Sequence, residues 1–113
     1  GNEFLTDNKE FLEERALAMR KMDRSYFEGL KRLIDTFVSE VDFTNELHQI
    51  KCPTQIIVGE DDLLKRVKFS RMIAEHIAHS ELYILPNCGH VTIFEKPKEL
   101  QTLLTDFLLT QEK

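Results

Sequence analysis

The chain has 113 residues, a formal net charge of −5, 42% hydrophobic and 31% charged residues, which leaves room for one small domain. The excess of acid disfavours nucleic acid or an anionic membrane as a partner, and no apolar run approaches the roughly 20 residues needed to span a bilayer. Cys52 and Cys88 are too few for a disulfide framework and have no metal-ligand spacing, so they are read as small apolar fillers in a reduced, cytoplasmic protein.

Gly1-Asn2-Glu3 opens neither a basic nor an apolar region, so no signal peptide is expected, and a first residue of Gly is read as the mark of a processed or trimmed chain. The first fifty residues read as helical and hold most of the negative charge. Thr6 or Asp7 is the expected cap of a first helix with Leu12, Ala16, Met19 and Met22 at three-to-four spacing. Ser25 followed by Glu28 is a capping-box pattern. It opens a clearer amphipathic helix with Tyr26, Leu30, Leu33, Ile34, Phe37, Val38 and Val41 on one stripe. Asp42 to Gln49 reads as a short turn of helix or a loop.

The character changes at Lys51-Cys52-Pro53, because proline disfavours helix before it and suits the first position of a strand. Thr54 to Val58 is a β-branched run of the kind buried on both faces, ended by Gly59. A helix is expected from about Lys68 to His79 with Phe69, Met72, Ile73, His76 and Ile77 inside, then a strand over Glu81 to Leu85, stopped by Pro86-Asn87. Pro97 begins a last helix that buries Leu100, Leu103, Leu104, Phe107 and Leu108. Strand, helix, strand, helix at these lengths predicts an α/β fold: a right-handed parallel β-α-β unit with a further packing helix.

Open α/β sheets bind ligands beyond the carboxyl ends of their strands. Asp62 and His90 lie at two such ends. Taken singly, each is equally well a strand-end aspartate accepting loop N–H groups and a histidine capping a turn. Taken together they suit an orienting acid and a general base, the carboxylate accepting the Nδ1 proton so that Nε2 takes one from a nucleophile. The nucleophile itself is absent, since no G-x-S-x-G occurs and Ser25, Ser39, Ser70 and Ser80 lie in no such elbow. Glu60-Asp61-Asp62 is a minor candidate for a hard cation, but no further ligands accompany it. His48, His76 and His79 show no partner spacing. Cys88, on the same short turn as the base, has no in-line approach to its Nε2 and is assigned to packing.

The stretch from about Leu47 to Phe107 resembles the C-terminal end of the α/β-hydrolase fold superfamily. The resemblance is carried by Ile50-Lys51-Cys52-Pro53-Thr54, by Gly59-Glu60-Asp61-Asp62, by Leu82 to His90, and by Phe94-Glu95-Lys96-Pro97-Lys98-Glu99-Leu100. The acid and the histidine are 28 residues apart, a spacing usual in that family. The family's G-x-x-D turn selects Asp62 as the acid, with Asp61 as the alternative. Residues 1–50 are similar to the end of the cap or lid inserted in these hydrolases, and residues 51–113 to the C-terminal part of their core. Tyr26, Phe27, Phe37 and Met22 are read as helix core ahead of any role in lining a substrate pocket.

The resemblance implies a serine-type hydrolase acting on an ester, lactone, thioester, amide or related bond, with a small-molecule substrate in the complete enzyme and no need of a cofactor or metal. The chain lacks the oxyanion-hole loop, the nucleophile elbow and most of the sheet, so it is expected to be inactive alone. Its open sheet edge is a template for pairing. Two outcomes are expected: association with a complementing N-terminal half, or a homo-oligomer, most simply a dimer. The alternative function is a non-catalytic module of truncated hydrolase fold acting in dimerisation or protein interaction.

Overall fold

The computed structural model describes residues 1–111. Its first half is helical: α1 (Asn2–Asp7), α2 (Lys9–Arg20) and α3 (Arg24–Glu40), followed by a 3-10 turn at Thr44–Gln49. Thr6 and Asp7 do not cap α2. Both lie inside α1, where the Thr6 hydroxyl donates to the Asn2 carbonyl at 3.1 Å. The interruption falls at Asn8, whose side-chain amide joins its own backbone N–H on the Phe4 carbonyl at 3.0 and 3.1 Å. A side chain that binds locally in this way competes with continuation of the helix.

The cap of α3 also differs from the expected box. Asp23 accepts the Ser25 N–H at 2.8 Å, and Glu28 pairs with Arg24 at 2.9 Å instead of reaching back to Ser25. A carboxylate outcompetes the serine hydroxyl because it accepts a stronger bond and offsets the positive end of the helix dipole. The apolar stripe of α3 runs as its periodicity predicts, but among the described residues it stays exposed. Phe37 is 61% exposed and Val38 82%.

The second half is a parallel pair, β1 (Thr54–Gly59) and β2 (Ser80–Leu85), with Thr54 opposite Ser80 and Gly59 opposite Leu85. The crossover helix α4 (Val67–His76) packs on both strands, and a four-residue α5 (Thr92–Glu95) precedes α6 (Pro97–Gln111). The α/β class is as expected, and several limits move. Helix α4 stops at His76, short of His79, because the Ser80 hydroxyl takes the carbonyls of Ala74 and Ile77 at 3.0 and 2.9 Å. That closes the helix end and leaves Ile77 extended on the way into β2.

Val58, Ile77, Leu85 and Cys88 form the buried core. Gln55 ties α6 to β1 through its side-chain N–H on the Leu103 carbonyl, 3.0 Å. Phe69 and His76 of α4, and Leu104 and Leu108 of α6, were expected inside and are exposed. Two strands about 5 Å apart make too narrow a floor for a full helical stripe. Helix α6 therefore half-buries Leu100, Leu103 and Phe107 only.

The shape records the same shortage of cover. The radius of gyration is 17.1 Å, against about 13 Å for a compact chain of this length. The accessible area is 9299 Å² for 13.3 kDa, whereas a folded monomer of that mass exposes about 6,450 Å². The excess is at least as large as the roughly 1,000–2,500 Å² that a permanent interface removes from each partner. Light scattering on dilute chain is therefore expected to give at least twice the 13.3 kDa mass. A monodisperse, cooperatively unfolding monomer would show that the helices close the core unaided.

Candidate active site

The carboxyl ends of β1 and β2 are zipped together beyond the strands themselves. The Glu60 N–H donates to the Leu85 carbonyl at 2.9 Å and the Asp61 N–H to the Cys88 carbonyl at 2.8 Å. Asn87, with φ of 50°, turns the chain back after Pro86, and asparagine tolerates this left-handed region better than most residues. The turn then lies directly on Gly59. A Cβ at that position would meet the Gly89 and Cys88 carbonyl oxygens at 2.2 and 2.3 Å, so only glycine allows so close an approach.

This zipper delivers Asp62 and His90 to one place. Asp62 Oδ1 accepts the N–H groups of Leu64 and Lys65 at 2.9 and 2.7 Å, which fixes the carboxylate plane. Its Oδ2 lies 2.9 Å from His90 Nδ1. The Asp62 side chain is 5% exposed and the His90 side chain 46%. Burial pushes the Asp62 carboxyl upward, but the Lys65 amide, the His90 bond, the Leu64 amide and the imidazolium charge together outweigh it and hold the group below the ordinary carboxylate range. An ionised carboxylate only accepts, so the neutral ring carries its proton on Nδ1 and leaves the Nε2 lone pair free.

The sign of the shift sets an acid dependence. A carboxyl depressed in the folded state adds stability above its unfolded value, and that contribution disappears as pH falls through the folded value. Denaturant midpoints measured from about pH 7 downward should therefore fall in acid, below about pH 5, more steeply in the native chain than in Asp62→Asn. Equal slopes would contradict the bonding described.

Asp61, the alternative acid, is exposed, and no hydrogen bond joins its carboxylate to His90 among the described residues. Glu60 is exposed as well. Cys88 is fully buried; burial first, and then the charge of Glu95, push its thiol up, which opposes a thiolate nucleophile. Ser80 stands at the opposite end of β2 from the histidine turn, bonded within the α4 terminus. His76 points its Nδ1 at the Met72 carbonyl, 2.7 Å away. No cluster of three or more side chains suited to a metal occurs among the described residues.

An open cleft of about 840 Å³ runs past His90 and Asp62, with Leu5, Leu63, Leu64 and Val67 among its walls. One residue of the site had no role assigned from the chain alone. Glu95 lies five residues after the histidine, and its carboxylate accepts the Gly89 N–H at 2.8 Å. Its only sequence signal is an acid placed just ahead of the Lys96-Pro97 helix start.

No protein-family model matches the chain. Individual proteins do. The solved structure of MGS-M2, an α/β-hydrolase enzyme from a Medee basin deep-sea metagenome library, aligns with a TM-score of 0.83 at 30% identity, over 94% of this chain and 39% of that one. A membrane phospholipase A, described as a bacterial virulence factor, aligns at a TM-score of 0.62 and 28% identity, covering 87% of this chain and 30% of its own. The chain carries part of the α/β-hydrolase fold. Among curated relatives, monoacylglycerol lipase ABHD6 of Bos taurus is 46% identical over 66 residues, 55% of this chain and 20% of the lipase. The chain thus spans about one fifth of the length of such curated relatives. Among the described residues, no helix is long and apolar enough to cross a membrane.

Proposed function

We propose that this chain supplies the acid and the general base of a serine-type α/β-hydrolase, with Asp62 orienting His90. The observation that carries the reading is the 2.9 Å contact of His90 Nδ1 with a buried carboxylate at the tips of paired parallel strands, with Nε2 left free on an exposed ring. In the reaction, Nε2 takes the proton of a serine hydroxyl as the serine attacks an acyl carbon, and returns it to the leaving alkoxide. Asp62 stabilises the imidazolium formed between those two transfers. Water repeats the sequence to release the acid.

The serine comes from an N-terminal half with the elbow and the rest of the sheet. Residues 51–113 act as the end of the core and residues 1–50 as the end of a cap over the substrate. The likeness to a monoacylglycerol lipase and a phospholipase A points to carboxylic esters of lipids, and the leucines beside the cleft suit an acyl chain. Both cysteines are free, in keeping with a reducing, cytoplasmic setting. A second reading, a non-catalytic dimerisation module, is favoured by the uncovered face of α3 alone.

The test compares the chain alone with the chain joined to the N-terminal part of the metagenomic enzyme it aligns with. Hydrolysis of an aryl ester is expected only in the joined protein. Turnover by the 113-residue chain that His90→Ala abolishes would overturn the need for an external serine. A folded but inactive joined protein would favour the dimerisation reading.

A further inference from the structure

Glu95 is the buried charge for which the proposed reaction has no use. Its side chain is 9% exposed, and an ionised carboxylate kept from water must be held by donors. One donor is the Gly89 N–H, at 2.8 Å. Another is the amino group of Gly1, which lies against the same oxygen. Burial pushes the Glu95 carboxyl upward, and the Gly1 amino group, the Gly89 N–H and the Val91 N–H together outweigh it.

The Gly89 contact sits at a particular point in the chain. The turn from Asn87 to His90 is gripped on one side where the Cys88 carbonyl accepts the Asp61 N–H at 2.8 Å. On the other side it is gripped by Glu95, at the end of α5. A Cβ on Gly89 would meet Glu95 Oε1 at 2.7 Å, so glycine at 89 is what lets the carboxylate approach. The two grips flank the peptide that aims His90.

We propose that Glu95 is a positioning residue whose bond to the Gly89 N–H holds the histidine turn, so that His90 Nδ1 stays on Asp62 and Nε2 stays turned to the cleft. The inference rests on the triad reading for its purpose, but its test reads geometry alone. The tautomer of His90 is measured by nitrogen NMR in the isolated chain at a pH where the ring is neutral. The native chain is expected to show the proton on Nδ1. Glu95→Ala is expected to shift His90 toward the tautomer mixture of free histidine, and Glu95→Gln, which keeps an oxygen acceptor, to restore the native signal. Acetylating the Gly1 amino group is expected to change nothing, which separates the Gly89 bond from the terminal charge.

If Glu95→Ala does not fold, hydrogen exchange in the native chain decides. The Gly89 N–H is expected to exchange about tenfold or more slowly relative to an open turn amide. A native tautomer retained in folded Glu95→Ala, loss of it on acetylation, or free exchange at Gly89 would each overturn the role of Glu95 and leave the Asp62–His90 pair standing. A native His90 without a proton on Nδ1 would overturn both.

Discussion

His90→Ala in the hydrolase completed with its N-terminal half is expected to lower kcat by about 10⁴-fold or more, with KM little changed. The ring presents a free basic nitrogen at the strand tips, and its other nitrogen lies 2.9 Å from the buried Asp62 carboxylate. Asp62→Asn should cost about 10⁴-fold by a different route. An amide presents a donor as well as an acceptor, so the ring is no longer held with its proton on Nδ1. Asp61→Asn should change kcat little, because that side chain is exposed and the ring is held by Asp62 instead. Steady-state kinetics on the three variants checks this directly. A large loss in Asp61→Asn with little loss in Asp62→Asn would reassign the acid.

Gly59→Ala is expected to be the most disruptive single methyl in the chain, costing about 3 kcal/mol and breaking the Asp62–His90 contact. The added carbon would meet two backbone carbonyl oxygens, at 2.2 and 2.3 Å. Backbone atoms have no rotamer to retreat into, so β1 and the histidine turn must separate. Gly89→Ala is a useful contrast, since its methyl would meet the carboxylate end of Glu95 and the Gly1 nitrogen but no backbone carbonyl. That side chain can swing away, losing the bond to Gly89. Urea unfolding gives the stability change, and the His90 tautomer reports whether the turn still aims the ring. A Gly59→Ala chain with native stability and a native tautomer would refute the close approach.

Much of the fold follows from local chemistry along the chain. The β-branched run after Pro53, the glycine that ends it, the stripe of α3 and the proline that opens α6 each express a backbone preference that needs no partner, and each is found where its periodicity puts it. The 28-residue interval between acid and histidine is also local information, because one strand, one helix and one strand of those lengths return the chain to the same sheet end.

Tertiary structure decided the rest, for reasons that local pattern does not carry. Adjacent Asp61 and Asp62 have the same chemistry in sequence; only the pairing of the acid turn with the Cys88 carbonyl buries one and exposes the other. Glu95 became part of the site because α5 folds back under Gly89. Helix α4 ended early because a serine from the next strand took its last carbonyls. The apolar stripes of α3 and α6 showed which residues seek burial. The stripe of α3 meets no sheet among the described residues, and that of α6 is buried only in part because two strands make a narrow floor.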